Sequence, residues 1–378
     1  MIKNLIITCT LILFSQVGFS EPWAVYVNRM PDLPSSFCIS DKVGSQLRPI
    51  QRYSVEYQWI EDNGEVGIAS GLVAFRANSK SVLTPVIYMH ATSASKLDVP
   101  SQGSFESNYA SCKVLNDSNV FIAPDYYGMG LGTGFHPYMI TDPTVHATLS
   151  FYDIALRVMK SLKKETSDSV VLAGYSQGGH AALAVHRFID ANQLPIKVKK
   201  TFALSGPTSL SVNMVDLFLY GEPNKNTRSL VSLVLVNYNQ YYGGQYSSSP
   251  FIPEYSIAED FALSMNKKAI DESLPRSPYE FLSEDFLEDL NLSKNHPFRM
   301  RLAENDIVPW TFSGKIILAY SEGDTTIPPK DTKEFFASMS KISPNVSLFR
   351  TSKSLPHTAN FLKSLDYLGK ILLKERMN

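Results

Sequence analysis

The sequence predicts an α/β fold: a mostly parallel, twisted sheet with helices on both faces and an inserted, mainly helical cap. Short apolar runs bounded by breakers recur along the chain. Stretches of helical spacing lie between them, and one long segment rich in Tyr, Asn, Ser and Pro interrupts the rhythm.

Ser54 to Ile60 alternates apolar and polar positions, with Val55, Tyr57 and Trp59 on one side. Asp62-Asn63-Gly64 is a turn signal, and Val66 to Phe75 resumes an extended pattern, so the two runs form a β-hairpin near the start of the sheet. Pro85 to Met89, Val120 to Ala123 and Val170 to Ala173 are short and continuously apolar, as strands buried on both faces of a parallel sheet are. Pro143 to Leu162 has helical spacing. Gln177 to Ile189 forms a further helix, with Ala181, Ala182 and Ala184 allowing close packing. Thr201 to Leu204, Lys315 to Tyr320 and Val346 to Phe349 are the remaining strands, and Ala359 to Leu373 the last helix. Between Pro207 and Phe312 the strong apolar runs are Met214 to Leu219 and Leu230 to Val236. The expected organisation is a core of residues 21–206 and 313–378, split by a cap over 207–312. Without the cap and a leader, about 250 residues remain, an ordinary size for one α/β domain.

The chain has 378 residues, of which 44% are hydrophobic and 19% charged, a composition that excludes disorder over its bulk. Lys and Arg number 35 against 36 Asp and Glu, so no global basic field gathers nucleic acid. Residues 1–20 have the pattern of an export signal: Lys3, then a mostly apolar run from Leu5 to Phe14, then small residues at Gly18 and Ser20 before the expected cut. The run is short for a bilayer span, so export with cleavage is expected, to the periplasm or the medium. Cleavage removes Cys9 and leaves Cys38 and Cys112, an even pair that suggests a disulfide in an exported protein. Neither has a Cys or His neighbour at metal-ligand spacing, so no metal site is expected.

Val170 to Gly179 reads Val-Val-Leu-Ala-Gly-Tyr-Ser-Gln-Gly-Gly, a strand, then G-x-S-x-G, then a helix. A serine on so tight a strand-to-helix turn needs small residues two positions away on either side, and Gly174 and Gly178 supply them. The turn presents the Ser176 hydroxyl at the carboxyl edge of the sheet, where α/β sites lie. A hydroxyl is a weak nucleophile and requires a base. The order expected on this architecture is nucleophile, acid, histidine. After the strand Lys315 to Tyr320 comes Ser321-Glu322-Gly323-Asp324, and of the seven histidines only His357 follows it. Ser176, Asp324 and His357 are therefore the candidate triad, with Glu322 and Asp306 as alternatives for the acid. The other histidines suit packing or loop roles. Acyl transfer also requires donors for the developing oxyanion. Gln177 N–H, just after the nucleophile, is one candidate; Ala91 or Thr92, in the loop after Met89, supplies the other.

These residues resemble the α/β-hydrolase family, and the chain is most similar to its secretory lipase branch of exported esterases and lipases. Ala123-Pro124-Asp125-Tyr126-Tyr127-Gly128-Met129-Gly130, followed by His136-Pro137-Tyr138, resembles that family's PDYxGxG…HPY stretch. Gly174 to Gly179 resembles its GYSQGG elbow, and Asp324-Thr325-Thr326-Ile327-Pro328 its DxxVP acid loop. The family's oxyanion loop commonly reads HGT. Here Ala91 stands at the glycine and allows less backbone freedom. The resemblance implies hydrolysis of carboxylic esters, often acylglycerols, without a cofactor.

The expected function is an exported serine esterase or lipase acting on a small-molecule or lipid ester. The alternatives are a serine peptidase, for which cap acids such as Glu259 and Asp260 would bind an amino terminus, and a non-catalytic binding protein on the same scaffold. Apolar faces on cap helices would permit transient contact with a lipid interface.

Overall fold

The computed structural model describes residues 5–6, 25–38, 48–60, 65–220, 226–244 and 250–374. The expected leader, apart from Leu5 and Ile6, and the turn Asp62-Asn63-Gly64 lie outside the described residues.

The central sheet is built from β1 (Val25–Leu33), β2 (Ile50–Ile60), β3 (Val66–Arg76), β4 (Val82–Met89), β5 (Asn119–Pro124), β6 (Ser169–Tyr175), β7 (Lys197–Leu204), β8 (Lys315–Ser321) and β9 (Val346–Ser352). Its order is β1-β2-β3-β5-β4-β6-β7-β8-β9, with the two-residue strands Leu5–Ile6 and Glu165–Thr166 added against β1 and β4. The β1–β2, β2–β3 and β3–β5 pairs are antiparallel; every pair from β5 to β9 is parallel. The expected hairpin is β2–β3, in unbroken register from Ile50↔Arg76 to Ile60↔Val66. The parallel half is buried on both faces, and β5 is buried at every position. This explains why its strands read as continuous apolar runs rather than alternating ones.

Two cores flank the sheet. One receives α2 (Thr141–Ser161), α3 (Gln177–Ala191) and α10 (Pro329–Ser340), through Phe151, Ile154, Ala181, Val185, Phe335 and Met339. The other receives α1 (Phe105–Val114) and α11 (His357–Lys374), through Ala110, Val114, Leu365, Leu368 and Leu372. Cys38 and Cys112 are joined across 74 residues, tying the segment after β1 to α1. Closing a loop of that length stabilises the fold by about 4 kcal/mol through chain entropy.

Among the longer elements, three have no clear pattern in the sequence. Strand β1 is a mostly exposed strand containing Pro31, without the alternation that marks a half-buried one. Helix α1 buries chiefly Ser107, Ala110 and Ser111, so its apolar face is faint. Helix α10 buries Asp331 and Thr332 beside Phe335 and Met339, which blurs its pattern. The last helix also starts earlier than expected, at His357 rather than Ala359. His357 thus opens a helix instead of lying on the loop before it.

Between β7 and β8 the described residues form the π-helical turn Leu210–Met214 and six helices: α4 (Val215–Tyr220), α5 (Thr227–Tyr241), α6 (Ile257–Leu263), α7 (Lys267–Ser273), α8 (Glu284–Leu292) and α9 (Pro297–Glu304). Their only extended pairing is the isolated bridge Phe251↔Leu282. Two carboxylates fix the start of this segment: Asp331 ties it to α10 of the core, and Asp306 ties it to the segment's own end. Asp331 accepts from Thr208 N–H (2.6 Å), Thr208 Oγ1 (3.0 Å), Ser209 N–H (3.0 Å) and Asn213 Nδ2 (2.9 Å). Asp306 accepts from Leu210 N–H (2.6 Å), Ser211 N–H (3.0 Å) and the Ser211 hydroxyl. No helix among the described residues is long and apolar enough to cross a membrane.

Candidate active site

The chain leaves β4 to form β5 on one side and returns as β6 on the other, so the sheet reverses direction between β4 and β6. Crevices at the carboxyl ends of strands at such a point are where α/β proteins bind ligands. Met89 at the end of β4 pairs with Gly174 near the end of β6, so the loops that follow, 90–92 and Ser176, lie side by side.

Ser176 occupies the turn between β6 and α3 with φ 55° and ψ −119°, a conformation L-residues rarely adopt. Its N–H donates to the Leu204 carbonyl at 2.8 Å, fastening the turn to β7. The turn tolerates no side chain on either flank. A Cβ on Gly178 would stand 1.9 Å from the Met89 carbonyl oxygen, and one on Gly174 2.1 Å from the carbonyl oxygen of Gly178. The strained serine between two glycines is the nucleophile-elbow geometry.

His357 Nε2 lies 2.8 Å from Ser176 Oγ, and His357 Nδ1 lies 2.7 Å from Asp324 Oδ2. Asp324 is 4% exposed and His357 7%, so this pair of bonds is shielded from water. The other oxygen of Asp324 accepts Thr326 N–H (3.0 Å) and Ile327 N–H (2.8 Å), which fixes the carboxylate within its own loop. Tyr175 donates its hydroxyl to the His357 carbonyl at 2.5 Å, and its ring packs 5.1 Å from the imidazole. Burial raises the Tyr175 pKa, so the phenol keeps its proton.

The two alternative acids stand elsewhere. Glu322 pairs with Lys333 at 2.9 Å and Arg350 at 3.8 Å, and Asp306 is occupied at the start of the helical segment. Asp125 is buried and accepts from Ser70 Oγ (2.6 Å) and Ser101 N–H (2.9 Å), holding the turn after β5. Tyr127 stacks on Trp59 with ring centres 3.7 Å apart. His180 is buried, with Nδ1 donating to the Pro207 carbonyl at 3.0 Å.

His136 and Tyr138, from the HPY stretch, both reach the site. His136 Nδ1 donates to the Tyr127 carbonyl at 3.0 Å, and its Nε2 accepts from the Gln177 side chain at 2.9 Å. That arrangement needs a neutral ring, and burial pushes the His136 pKa down to about 3. The Tyr138 hydroxyl is 2.6 Å from Thr92 Oγ1. These contacts join distant stretches, and no local spacing signals them.

The loop after β4 has little polar freedom. The Tyr126 hydroxyl donates to the His90 carbonyl at 3.0 Å and Ala91 N–H donates to Glu106 Oε1 at 2.8 Å, while His90 Nδ1 lies 2.7 Å from the Ala91 carbonyl and Nε2 3.2 Å from the Asp125 carbonyl, so the Nδ1–H tautomer holds the Ala91 carbonyl. Of the two amides expected to serve an oxyanion, Ala91 N–H is therefore engaged. Thr92 N–H has no acceptor among the described residues. Gln177 N–H opens α3, where amides lack intrahelical partners.

Ser176 faces a chamber lined by Gln177, Tyr138, Met139, Leu210, Leu230, Val234, Leu302 and Ile327, among others. Its volume is about 20 Å³, room for a single water. None of its lining residues is acidic, and neither Glu259 nor Asp260 is among them.

No family model and no curated protein matches this sequence. Solved structures do match. A candidate hydrolase from Legionella pneumophila superposes with a TM-score of 0.84 at 18% identity, over 92% of this chain and 96% of that one. The rice cell wall degrading esterase LipA from Xanthomonas oryzae superposes at 0.81 and 22% identity, over 92% and 97%. Lipase A from Candida antarctica superposes at 0.63 and 12% identity, over 88% and 76%. These superpositions, with the sheet order and the elbow at the end of β6, give the chain the α/β-hydrolase fold.

Proposed function

We propose that the protein is an exported serine hydrolase that cleaves carboxylic esters through Ser176, His357 and Asp324. The observation that carries this reading is the continuous hydrogen bonding from Asp324 through His357 to Ser176 at an apolar chamber. His357 Nε2 takes the Ser176 proton as Oγ attacks the ester carbonyl, and Asp324 stabilises the imidazolium that forms. Gln177 and Thr92 amides receive the oxyanion. Donors held in place before reaction need little reorganisation when charge develops. The imidazolium then protonates the leaving alcohol, and a water activated by the same histidine cleaves the acyl-enzyme.

The chamber favours an ester with an apolar acyl group over a peptide amino terminus, because no lining carboxylate would pair with an ammonium group. Any contact with a lipid surface is assigned to the helical segment, which exposes Val212, Ile257, Leu292 and Met300. The Cys38–Cys112 bridge supports an oxidising destination, periplasmic or extracellular, in keeping with the leader read from residues 1–20.

The test is hydrolysis of chromogenic acyl esters of increasing chain length by the mature protein, with Ser176→Ala as control. Turnover lost in Ser176→Ala is expected. Long chains preferred above their solubility limit would mark a lipase, and short soluble chains an esterase. Turnover of aminoacyl anilides but of no ester would overturn the reading.

A further inference from the structure

Glu106 is a half-buried carboxyl group outside the triad, in the first turn of α1. One oxygen, Oε1, accepts both the Tyr88 hydroxyl and Ala91 N–H, each at 2.8 Å. Burial raises its pKa, against the opposing pull of the nearby His90 ring and of the Ala91 and Tyr88 hydrogen bonds. A carboxyl group that meets no cation among its direct contacts, and holds a loop amide two residues past a strand end, requires an explanation beyond packing.

The peptide planes of the loop supply it. Ala91 N–H is held by Glu106, and the Ala91 carbonyl, in the same plane as Thr92 N–H, is held by His90 Nδ1 at 2.7 Å. In a trans peptide the N–H points opposite the C=O, so fixing the Ala91 carbonyl fixes the direction of Thr92 N–H. Both ends of Ala91 are thereby clamped, and the next amide, Thr92 N–H, has no acceptor among the described residues. Tyr138, which lines the chamber, meets the Thr92 hydroxyl at 2.6 Å.

We propose that Glu106 is a positioning residue for oxyanion stabilisation: its Oε1 holds Ala91 so that Thr92 N–H faces the developing charge. This rests on the ester-hydrolase reading. Oε1 serves as an acceptor, so its role survives replacement by an amide but not by a hydrocarbon. Tyr88 meets the same oxygen without touching the loop and is the structural control.

Four variants test this: Glu106→Gln, Glu106→Leu, Glu106→Asp and Tyr88→Phe. Each is assayed for kcat and KM on a soluble ester, for inhibition by an alkyl boronic acid, and for hydrogen exchange over residues 88–93. Glu106→Gln and Tyr88→Phe are expected to stay within about threefold of the parent kcat. Glu106→Leu should lose about 10- to 100-fold in kcat with KM little changed, and lose boronate affinity in parallel. Faster exchange over 88–93 should accompany that loss. If Glu106→Leu does not fold, Glu106→Asp, which withdraws the oxygen by one methylene, should show the same pattern in smaller measure. A folded Glu106→Leu or Glu106→Asp with parental kcat and unchanged exchange overturns the inference. A parent protein silent on every ester defeats the ester-hydrolase reading instead. The exchange comparison between Glu106→Gln and Glu106→Leu then still decides whether Glu106 holds the loop.

Discussion

His357 Nε2 lies 2.8 Å from Ser176 Oγ across 181 residues of chain. The contact exists because three strands end on one edge of the sheet. Ser176 follows β6, Asp324 follows β8 and His357 follows β9, with β7 between the first two. Asn360, one turn into α11, donates to Ser205 Oγ at 3.1 Å and so ties the histidine's helix to the end of β7.

That geometry predicts non-additive losses. Ser176→Ala or His357→Ala should each lower ester kcat by about 10⁴-fold or more, and the double variant should be no worse than either alone. Asp324→Asn should lower kcat by about 10⁴-fold with KM nearly unchanged, because the amide leaves His357 in the wrong tautomer. A double variant that loses the product of the two single losses would mean the residues act independently.

Much of this site was legible in the sequence because its signals are local. Ser176 sits between glycines after a buried strand. Asp324 follows another strand, and His357 is the one histidine after it. The parallel strands were legible for the same reason, as apolar runs between breakers. Glu106 gave no signal, since helix α1 has almost no apolar periodicity and Glu106 acts on a loop brought to it by the β4–β5 crossover. Ala91 and Thr92 could not be separated from the letters alone, because their difference lies in where each N–H points. The chamber walls were also invisible: Leu210, Leu230 and Leu302 lie far apart in a segment without a repeating pattern.

The elbow should be intolerant of a single methyl group. In Gly178→Ala the new Cβ would lie 1.9 Å from the Met89 carbonyl oxygen, a backbone atom that cannot move without dragging β4 and the loop after it. A stability loss of about 2 kcal/mol or more is expected, with ester kcat falling in the fraction that folds. Chemical denaturation together with active-site titration checks this. Parental stability and kcat in Gly178→Ala would refute the steric argument.

Buried histidines should make the fold sensitive to acid. Burial pushes His180 and His186 down to about 4 and His136 to about 3, from 6.5. A depressed histidine stays neutral in the folded chain while the unfolded chain takes up its proton. Its stabilising contribution is complete above pH 6.5 and declines as pH falls towards 4, by up to about 1.4 kcal/mol per pH unit for each. Asp306 and Asp331, raised by burial, take up protons first in the folded chain and offset part of this at the acid end. Melting temperatures should therefore fall between pH 7 and 5. His180→Asn, which can still donate to the Pro207 carbonyl, should flatten the slope by up to one proton. A melting temperature independent of pH over that interval would contradict these pKa directions.

The chamber over Ser176, at about 20 Å³, is too small for any acyl chain. If the acyl chain runs along the walls that the helical segment supplies, Leu210, Leu230, Val234 and Leu302, those walls must give way to admit it. The core-side groups at Ser176, Gln177 and Ile327 stay with the triad. Bulk added on the moving wall should then penalise long acyl groups and spare short ones. Leu230→Trp is the variant of choice, since Leu230 is only partly buried and the larger ring need not overpack the core. Its kcat/KM should fall about 10- to 100-fold for an octanoyl ester and less than about threefold for an acetyl ester, the range that apolar pocket contacts command. Equal losses on both esters would mean that the acyl chain does not run along α5, and that this chamber holds the alcohol side of the substrate instead.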